Sequence, residues 1–182
     1  MFTGHFAAAL SGAGTSRRLP LGLLIGAAFG ADILEGILAA FRVNDPTRVL
    51  SHSIPATAAI GLVLAVGWRL AGGTWREAFI VLVVAISHSA LDYFTAVKTM
   101  WPGSRPVGLN LYSRRYLEPA IEAVLCVAGW AVWRASLTHA QRRSAAAWSM
   151  LIVLLAAQGA ALVAVIAGIA HADWDSLSKF VR

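Results

Sequence analysis

Long apolar stretches alternate with short polar segments along the chain. Four stretches are almost wholly apolar: residues 20–41, 54–72, 76–96 and 147–170. A fifth, residues 117–136, begins with two glutamates and continues as "AVLCVAGWAVW". Because a helix needs about 20 mostly apolar residues to cross the hydrocarbon core of a bilayer, the pattern predicts an all-α, polytopic bundle of about five transmembrane helices. The length suits a single integral membrane domain over residues 1–182.

The segment before the first span is apolar but short. Residues 3–14, "TGHFAAALSGAG", are too few to cross a bilayer, so we predict a half-length helix that turns at Pro20 and packs against the first span. Small residues recur at every fourth position along both helices: Gly4, Ala8, Gly12, Gly22, Gly26 and Gly30. Such stripes let helix backbones approach closely in lipid. No basic residue precedes this apolar segment, so we do not expect a cleaved signal peptide.

The composition agrees with a membrane protein. Hydrophobic residues make up 58% of the chain and charged residues only 13%, with a mean hydropathy of +0.69, whereas a soluble domain has about a quarter charged residues. The net charge of +6 comes from short basic clusters between apolar runs, which favours contact with membrane lipids over nucleic acid. The single cysteine, Cys126, excludes an intrachain disulfide, a CxxC redox motif and a cysteine-rich metal site.

Several ionisable residues interrupt the apolar stretches. In "ISHSALDYF", His88 and Asp92 are four residues apart and share one face of a helix. Asp32 and Glu35 lie in the first span. An acid at the centre of a membrane helix costs about 2.5–3.5 kcal/mol, so we expect such groups to face the bundle interior with partners. We expect Glu35 to pair with an arginine.

Five of the ionisable residues are predicted to lie at one depth. At about 1.5 Å per residue, Asp32 lies about 18 Å into the first span, and His88 and Asp92 lie about 20 and 25 Å into the third. His52 lies where the second span begins, and the N-terminal helix, folded back, returns His5 to the depth of Asp32. We therefore predict one cluster of three histidines and two aspartates.

This cluster has the composition of a metal site. Imidazole and carboxylate ligands without thiolate suit Zn²⁺, Mn²⁺ or Fe²⁺, and zinc is the default for an open catalytic site. A bound zinc lowers the pKa of its water to about 7. Simpler explanations stay open for the individual residues: a packed, hydrogen-bonded histidine, a helix cap at His52, an intrahelical bond between His88 and Asp92, or a pair of Asp32 with Arg48.

The long connection before the fourth span carries candidate substrate ligands. Prolines and glycines in residues 97–116 exclude a continuous helix, and the segment brings Lys98, Arg105, Arg114 and Arg115 near the predicted mouth of the cluster. Arginine binds phosphate through its planar donor fork, although ordinary contact with lipid headgroups also explains these residues. Glu122, at the start of the fourth span, is the candidate general base; pairing with the nearby arginines is the alternative.

Four motifs give the sequence a family resemblance. "GHFAAAL", "AFGADILEG", "RVLSHSIPA" and "SHSALDYFT…WPGSRPVGLNLYS" occur in the order found in the YdjM-type family, LexA/SOS-regulated inner-membrane proteins described as membrane-bound, metal-dependent hydrolases and suggested to be phospholipases. The resemblance covers about residues 4–130. It implies an inner-membrane location and metal-binding roles for these five positions: His5, Asp32, His52, His88 and Asp92. Thr47 stands where many relatives have a histidine, and Ala31 where many have a proline.

Together, these features predict a membrane-bound, metal-dependent hydrolase. The expected partners are membrane lipids and an anionic phosphoester, with a phospholipid headgroup as the favoured substrate. Two alternatives stay open. Intramembrane histidines and aspartates also serve as proton relays in proton- or ion-coupled transporters, and the metal of a non-catalytic membrane scaffold would be only structural.

Overall fold

The structure, a computed structural model, describes residues 2–43, 45, 48–114 and 116–166. These residues form nine α-helices and no β-strand; one isolated antiparallel bridge joins Lys98 and Val107. A single 3₁₀ turn, Leu111–Ser113, precedes the seventh helix. In chain order the helices are α1 (Phe2–Thr15), α2 (Leu21–Ala28), α3 (Gly30–Ala40), α4 (Val49–His52), α5 (Ile54–Leu70), α6 (Trp75–Thr95), α7 (Leu117–Ser136), α8 (His139–Arg143) and α9 (Ala145–Ile166).

Two of these helices are long and apolar enough to cross a membrane: α6, and residues Ala145–Ala164 of α9. A third span is present if α2 and α3 together count as one bent span. Helix α5 is apolar but has only 17 residues, and α7 carries buried Glu118 and Glu122 within its first two turns. The described part of the chain is thus helical without strands, as predicted, with two to three candidate spans, and the five-span bundle is not confirmed. Residues 167–170 of the last predicted span lie outside the described part of the chain.

The first predicted span is broken. Residues 20–41 were expected to form one helix, but α2 and α3 meet at Phe29 with a bend of 61°. Phe29 has φ −102° and ψ 9°, outside the usual range of an α-helix. A Cβ atom on Gly30 would lie 2.6 Å from the side chain of Ile60, so the glycine lets the start of α3 approach α5 closely. The break places Asp32 in the first turn of α3.

The predicted half-length helix is present as α1, but its closest partner is α7 rather than the first span. A Cβ atom on Gly14 would lie 2.7 Å from the backbone of Val132, and one on Gly129 would collide with the backbone of Ala7. Toward the first span, Gly12 packs against Leu24. The predicted stripe also placed Gly22 and Gly26 against α1. An added Cβ at either position meets no described atom within 4 Å. Close packing therefore comes mainly from glycines at the α1–α7 contact.

Helix α6 lies at the centre of the fold. It begins with a capping box, in which Thr74 and Glu77 each accept from the other's backbone amide. Its apolar face, including Val81 and Ala85, is buried against α2 and α5. The same face continues to buried His88 and Asp92 in the last two turns of α6. One face of the helix therefore packs in the apolar core and, at its end, carries two buried ionisable side chains.

Candidate metal centre

His88 holds the middle of the site and is almost fully buried. Its Nδ1 donates a hydrogen bond of 2.8 Å to the carbonyl oxygen of Ala28, the last residue before the helix break. Because a carbonyl can only accept, Nδ1 carries a proton, and in the neutral ring Nε2 then carries the lone pair. That Nε2 lies 3.5 Å from His5 Nε2 and 3.3 Å from Asp92 Oδ2. The predicted intrahelical contact between His88 and Asp92 is therefore present, but as part of a larger group.

His52 forms a second side of the site. It ends α4, and its Nδ1 lies 2.8 Å from the hydroxyl of Ser51. Its Nε2 lies 3.2 Å from Asp32 Oδ1, 3.6 Å from Glu35 Oε2 and 3.9 Å from Asp92 Oδ2. His52 is buried, whereas the Asp32 side chain is 48% exposed, so the site opens to the surface beside Asp32. Ser53, rather than His52, caps α5.

The five residues predicted to converge, the His/Asp cluster, lie together. Ligand atoms of His5, His88 and Asp92 lie within 4.8 Å of one another, as do those of Asp32, His52 and His88. For a tetrahedral ion with ligands at about 2.0–2.2 Å, neighbouring ligand atoms are about 3.3–3.6 Å apart. The shortest separations in the cluster, 3.2, 3.3 and 3.5 Å, match that spacing. The buried group can therefore hold a metal ion.

The hydrogen bonding of the cluster also suits a cation. The Nε2 atoms of His5 and His88 lie 3.5 Å apart, so either one ring donates to the other or both lone pairs face a shared cation. His5 Nδ1 is buried with no hydrogen-bond partner among the described residues. No contact at Nδ1 therefore determines whether His5 Nε2 carries the proton. His88 belongs to both ligand groups and offers one lone pair, which favours a single ion bound through it.

Charged residues surround the cluster. Glu35 Oε1 pairs with Arg48 Nε at 2.9 Å, in agreement with the prediction that this acid has an arginine partner. Asp92 Oδ2 contacts the ammonium group of Lys98 at 2.5 Å. Sequence reasoning placed Lys98 only near the site, because the path of the loop that turns it back over the end of α6 is not readable from residue spacing. The available hint is its position six residues after Asp92, beyond the helix end.

Glu122, the candidate general base, contacts a different set of residues. Its Oε2 accepts from Thr3 Oγ1 at 2.9 Å, and Thr3 Oγ1 also lies 2.7 Å from Gln158 Oε1. Thr3 and His5 are two positions apart on α1 and so project about 200° apart around the helix. Glu122 thus lies on the α7 flank of α1, whereas His5 turns to α6. Glu122 Oε1 is buried with no hydrogen-bond partner among the described residues, and its role stays a prediction.

The predicted phosphate ligands are only partly described. Arg105 and Arg114 are exposed in the connection between α6 and α7, and Arg115 lies outside the described residues. The connection is tied back to α6 where Leu109 N donates to the Tyr93 carbonyl, next to Asp92 in sequence. Their binding of substrate stays a prediction.

Comparisons of the chain with family models, with curated proteins and with solved structures found no match. The resemblance to the YdjM-type family therefore stays a prediction from the four motifs. The geometry of the His/Asp cluster is the main support for a function of this chain.

Proposed function

We propose that the chain is a membrane-bound, metal-dependent hydrolase that cleaves a phosphoester, with a phospholipid headgroup as its substrate. The observation that supports this most strongly is the convergence of five side chains from α1, α3, α4 and α6, with ligand atoms at coordinating distances. Burying three histidines together with Asp92 is costly, and a bound cation offsets that cost. The motif order shared with the YdjM-type hydrolases, and with it an inner-membrane location, agrees with the proposal.

The proposal gives each residue of the cluster a task. The ligand set is His5, Asp32, His52, His88 and Asp92. Zinc is the default ion for these ligands, with Mn²⁺ or Fe²⁺ as alternatives. When bound, such an ion supplies a Lewis acid and lowers the pKa of water into the neutral range. Ala28 orients the His88 ring and Ser51 orients the His52 ring, which keeps the ligating nitrogens directed into the site.

Access and charge favour an anionic, membrane-derived substrate. The half-exposed Asp32 marks the open side of the site, and the cluster lies at the end of α6, a candidate membrane span. Arg105, Arg114 and Arg115 are the proposed phosphate ligands from the adjoining connection. Glu122 remains the proposed general base, which requires that it reach the site through movement of α1 or through water.

Metal content tests the proposal. We expect about one equivalent of metal in the protein purified in maltoside detergent, and less than a tenth of that in His88→Ala, because loss of a ligand commonly costs far more than the 10–100-fold of a residue behind the ligands. His139→Ala is the matched control, since His139 is exposed on α8. Equal metal in wild type and His88→Ala would overturn the metal assignment.

Turnover tests the enzymatic part. Metal-loaded wild-type protein should hydrolyse a model phosphodiester or a phospholipid, and Asp92→Asn should abolish this because the variant loses a charged ligand. The control is again His139→Ala. If the metal-loaded protein hydrolyses neither substrate, the chain is not the proposed enzyme.

One observation favours a second candidate, a proton- or ion-coupled transporter. Transport sites are often built at breaks in membrane helices, and the break at Phe29 lies between Ala28, which binds His88, and Asp32. A proton relay needs no metal. Proton uptake by proteoliposomes that persists after chelation and disappears in Asp92→Asn would favour the transporter over the hydrolase.

A further inference from the structure

Lys98 is a cation beside the site whose side chain is largely, though not fully, buried. Its ammonium group lies 2.5 Å from Asp92 Oδ2, and its side chain is only 12% exposed. The same Asp92 oxygen lies 3.3 Å from His88 Nε2, so lysine and histidine both contact one carboxylate oxygen. A lysine held this deeply usually loses much side-chain freedom, which costs free energy unless the charge has a defined use or partner.

Backbone contacts fix the segment that carries Lys98. Its amide and carbonyl both pair with Val107, at 3.1 and 2.9 Å, and Leu109 N donates to the carbonyl of Tyr93 near the end of α6. Gly108 has φ +155°, and a Cβ atom there would collide with the carbonyl of Ala96. Only glycine permits the chain to lie this close to α6. The ammonium group is thus delivered to Asp92 by a built connection rather than by a free surface side chain.

The distances place the ammonium group within reach of a ligand on the metal. If Asp92 Oδ2 binds an ion at about 2.0–2.2 Å, the Lys98 nitrogen lies no more than about 4.7 Å from that ion. A phosphoryl group bound to the ion through one oxygen directs its other oxygens outward. A lysine at this distance can meet one of them with a charge-assisted hydrogen bond of about 2.7–2.9 Å.

The balance of charge changes when an ion binds. Without an ion, Lys98 neutralises Asp92, which is 4% exposed and would otherwise be an uncompensated buried charge. With a divalent ion, the carboxylate oxygen is satisfied by the metal. The ion, Lys98 and Arg48 together then outweigh the three nearby acids, Asp32, Glu35 and Asp92, by one positive charge. The site then favours an anion, and Lys98 is the largely buried cation available to it.

We propose that Lys98 is the phosphate-anchoring residue of the metal centre: it neutralises Asp92 when no ion is bound and binds a phosphoryl oxygen of the substrate when the ion is in place. This inference rests on the proposed metal-dependent function and adds the residue that selects an anionic group. It also makes Lys98 a competitor of the metal for Asp92. Removing its charge should leave metal affinity unchanged or increase it, whereas a purely structural ion pair would lose metal affinity with the lysine.

Anion binding to the cobalt-loaded protein tests this assignment. Co²⁺ is titrated into apoprotein in maltoside detergent, and the visible absorption of the bound ion is followed as anion is added. One arm uses inorganic phosphate, and the other uses phosphatidylglycerol in the same micelles; the arm that responds identifies free phosphate or a lipid headgroup as the source. The variants are Lys98→Met, Lys98→Arg and, as a control at the far end of α6, the exposed Arg76→Met.

We expect Lys98→Met to bind Co²⁺ at least as tightly as wild type and to bind the anion about 10-fold more weakly or worse, since a hydrogen bond to a charged group is lost. Lys98→Arg should restore most of the anion affinity, and Arg76→Met should behave as wild type. Lys98→Gln replaces Lys98→Met if the latter does not fold. Unchanged anion affinity in the variant that lacks the charge, or a parallel fall in Co²⁺ affinity, would overturn the role of Lys98. Failure of wild type to bind Co²⁺ would instead overturn the metal-dependent function itself.

Discussion

The two nitrogens of the His88 ring face different kinds of atom. Nδ1 donates because the Ala28 carbonyl can only accept, and in the neutral ring Nε2 is then free to bind a cation beside His5 and Asp92. His52 is oriented in a similar way, with Ser51 behind its Nδ1. Such partners behind a ligand fix its orientation, so the residues that do not touch the ion still determine how tightly it binds.

Ser51→Ala should lower metal affinity about 10-fold, because the His52 ring loses the hydroxyl that orients it. The measurement is competition with a chromophoric chelator in detergent. Ser87→Ala is the control, since the Ser87 hydroxyl bonds to the Val84 carbonyl within α6. Equal affinity in the two variants would mean that Ser51 does not orient His52.

At the scale of single residues, the sequence predicted which ionisable side chains lie close together. Depth along each apolar stretch placed His5, Asp32, His52, His88 and Asp92 in one layer, because helical rise is constant and membrane boundaries are marked by composition. Lys98 could not be found in this way. Its position depends on how a loop turns back over α6, and that turn is held by backbone pairing with Val107 inside the same loop.

Helix α1 is held by close contacts with α7 on one side and with α6 on the other. Glycines at positions 14 and 129 bring its backbone against α7, while its other side carries His5 to α6. The sequence predicted the half-length helix correctly but assigned its close packing to the first span. Small residues identify a face that can approach another helix; they do not say which helix it will meet.

Gly129→Val should displace α1 from α7, because a side chain at this position collides with the backbone of Ala7, two residues beyond His5. We expect a loss of about 1–3 kcal/mol in stability together with a fall in metal content. Thermal unfolding in detergent and elemental analysis give the two readings. Gly26→Ala is the matched control, since an added Cβ there meets no described atom within 4 Å. A stable Gly129→Val variant with full metal content would show that the position of α1 does not control the site.

For the molecule as a whole, the apolar composition correctly indicated a helical fold with helices long and apolar enough to cross a membrane, and the count of spans was the weaker inference. Hydropathy averages over a window, so it joined α2 and α3 across the bend at Phe29 and accepted α7 despite its buried acids. The cluster draws ligands from four helices that are distant in sequence. A bound ion would therefore link the N-terminal helix, the broken pair and α6 into one unit.

Chelation should consequently lower the thermal midpoint of the wild-type protein. An ion present at about 100 times its dissociation constant adds about 2.7 kcal/mol to the stability of the folded state, because it binds ligands that only the fold assembles. The midpoint in detergent is measured with and without a strong chelator. His88→Ala, which lacks the central ligand, should show no chelator-dependent shift, and a similar shift in both proteins would point to metal bound elsewhere.

The bend at Phe29 changes the hydrogen bonding of the Ala28 carbonyl. In an uninterrupted helix the Ala28 carbonyl would accept from the peptide N–H one turn later, whereas at the bend it accepts from an imidazole of a neighbouring helix. The histidine thus takes the place of a peptide donor. Straightening the pair would give that carbonyl back to the helix backbone and leave the ring nitrogen without its acceptor, so the bend supports the orientation of His88 in the cluster.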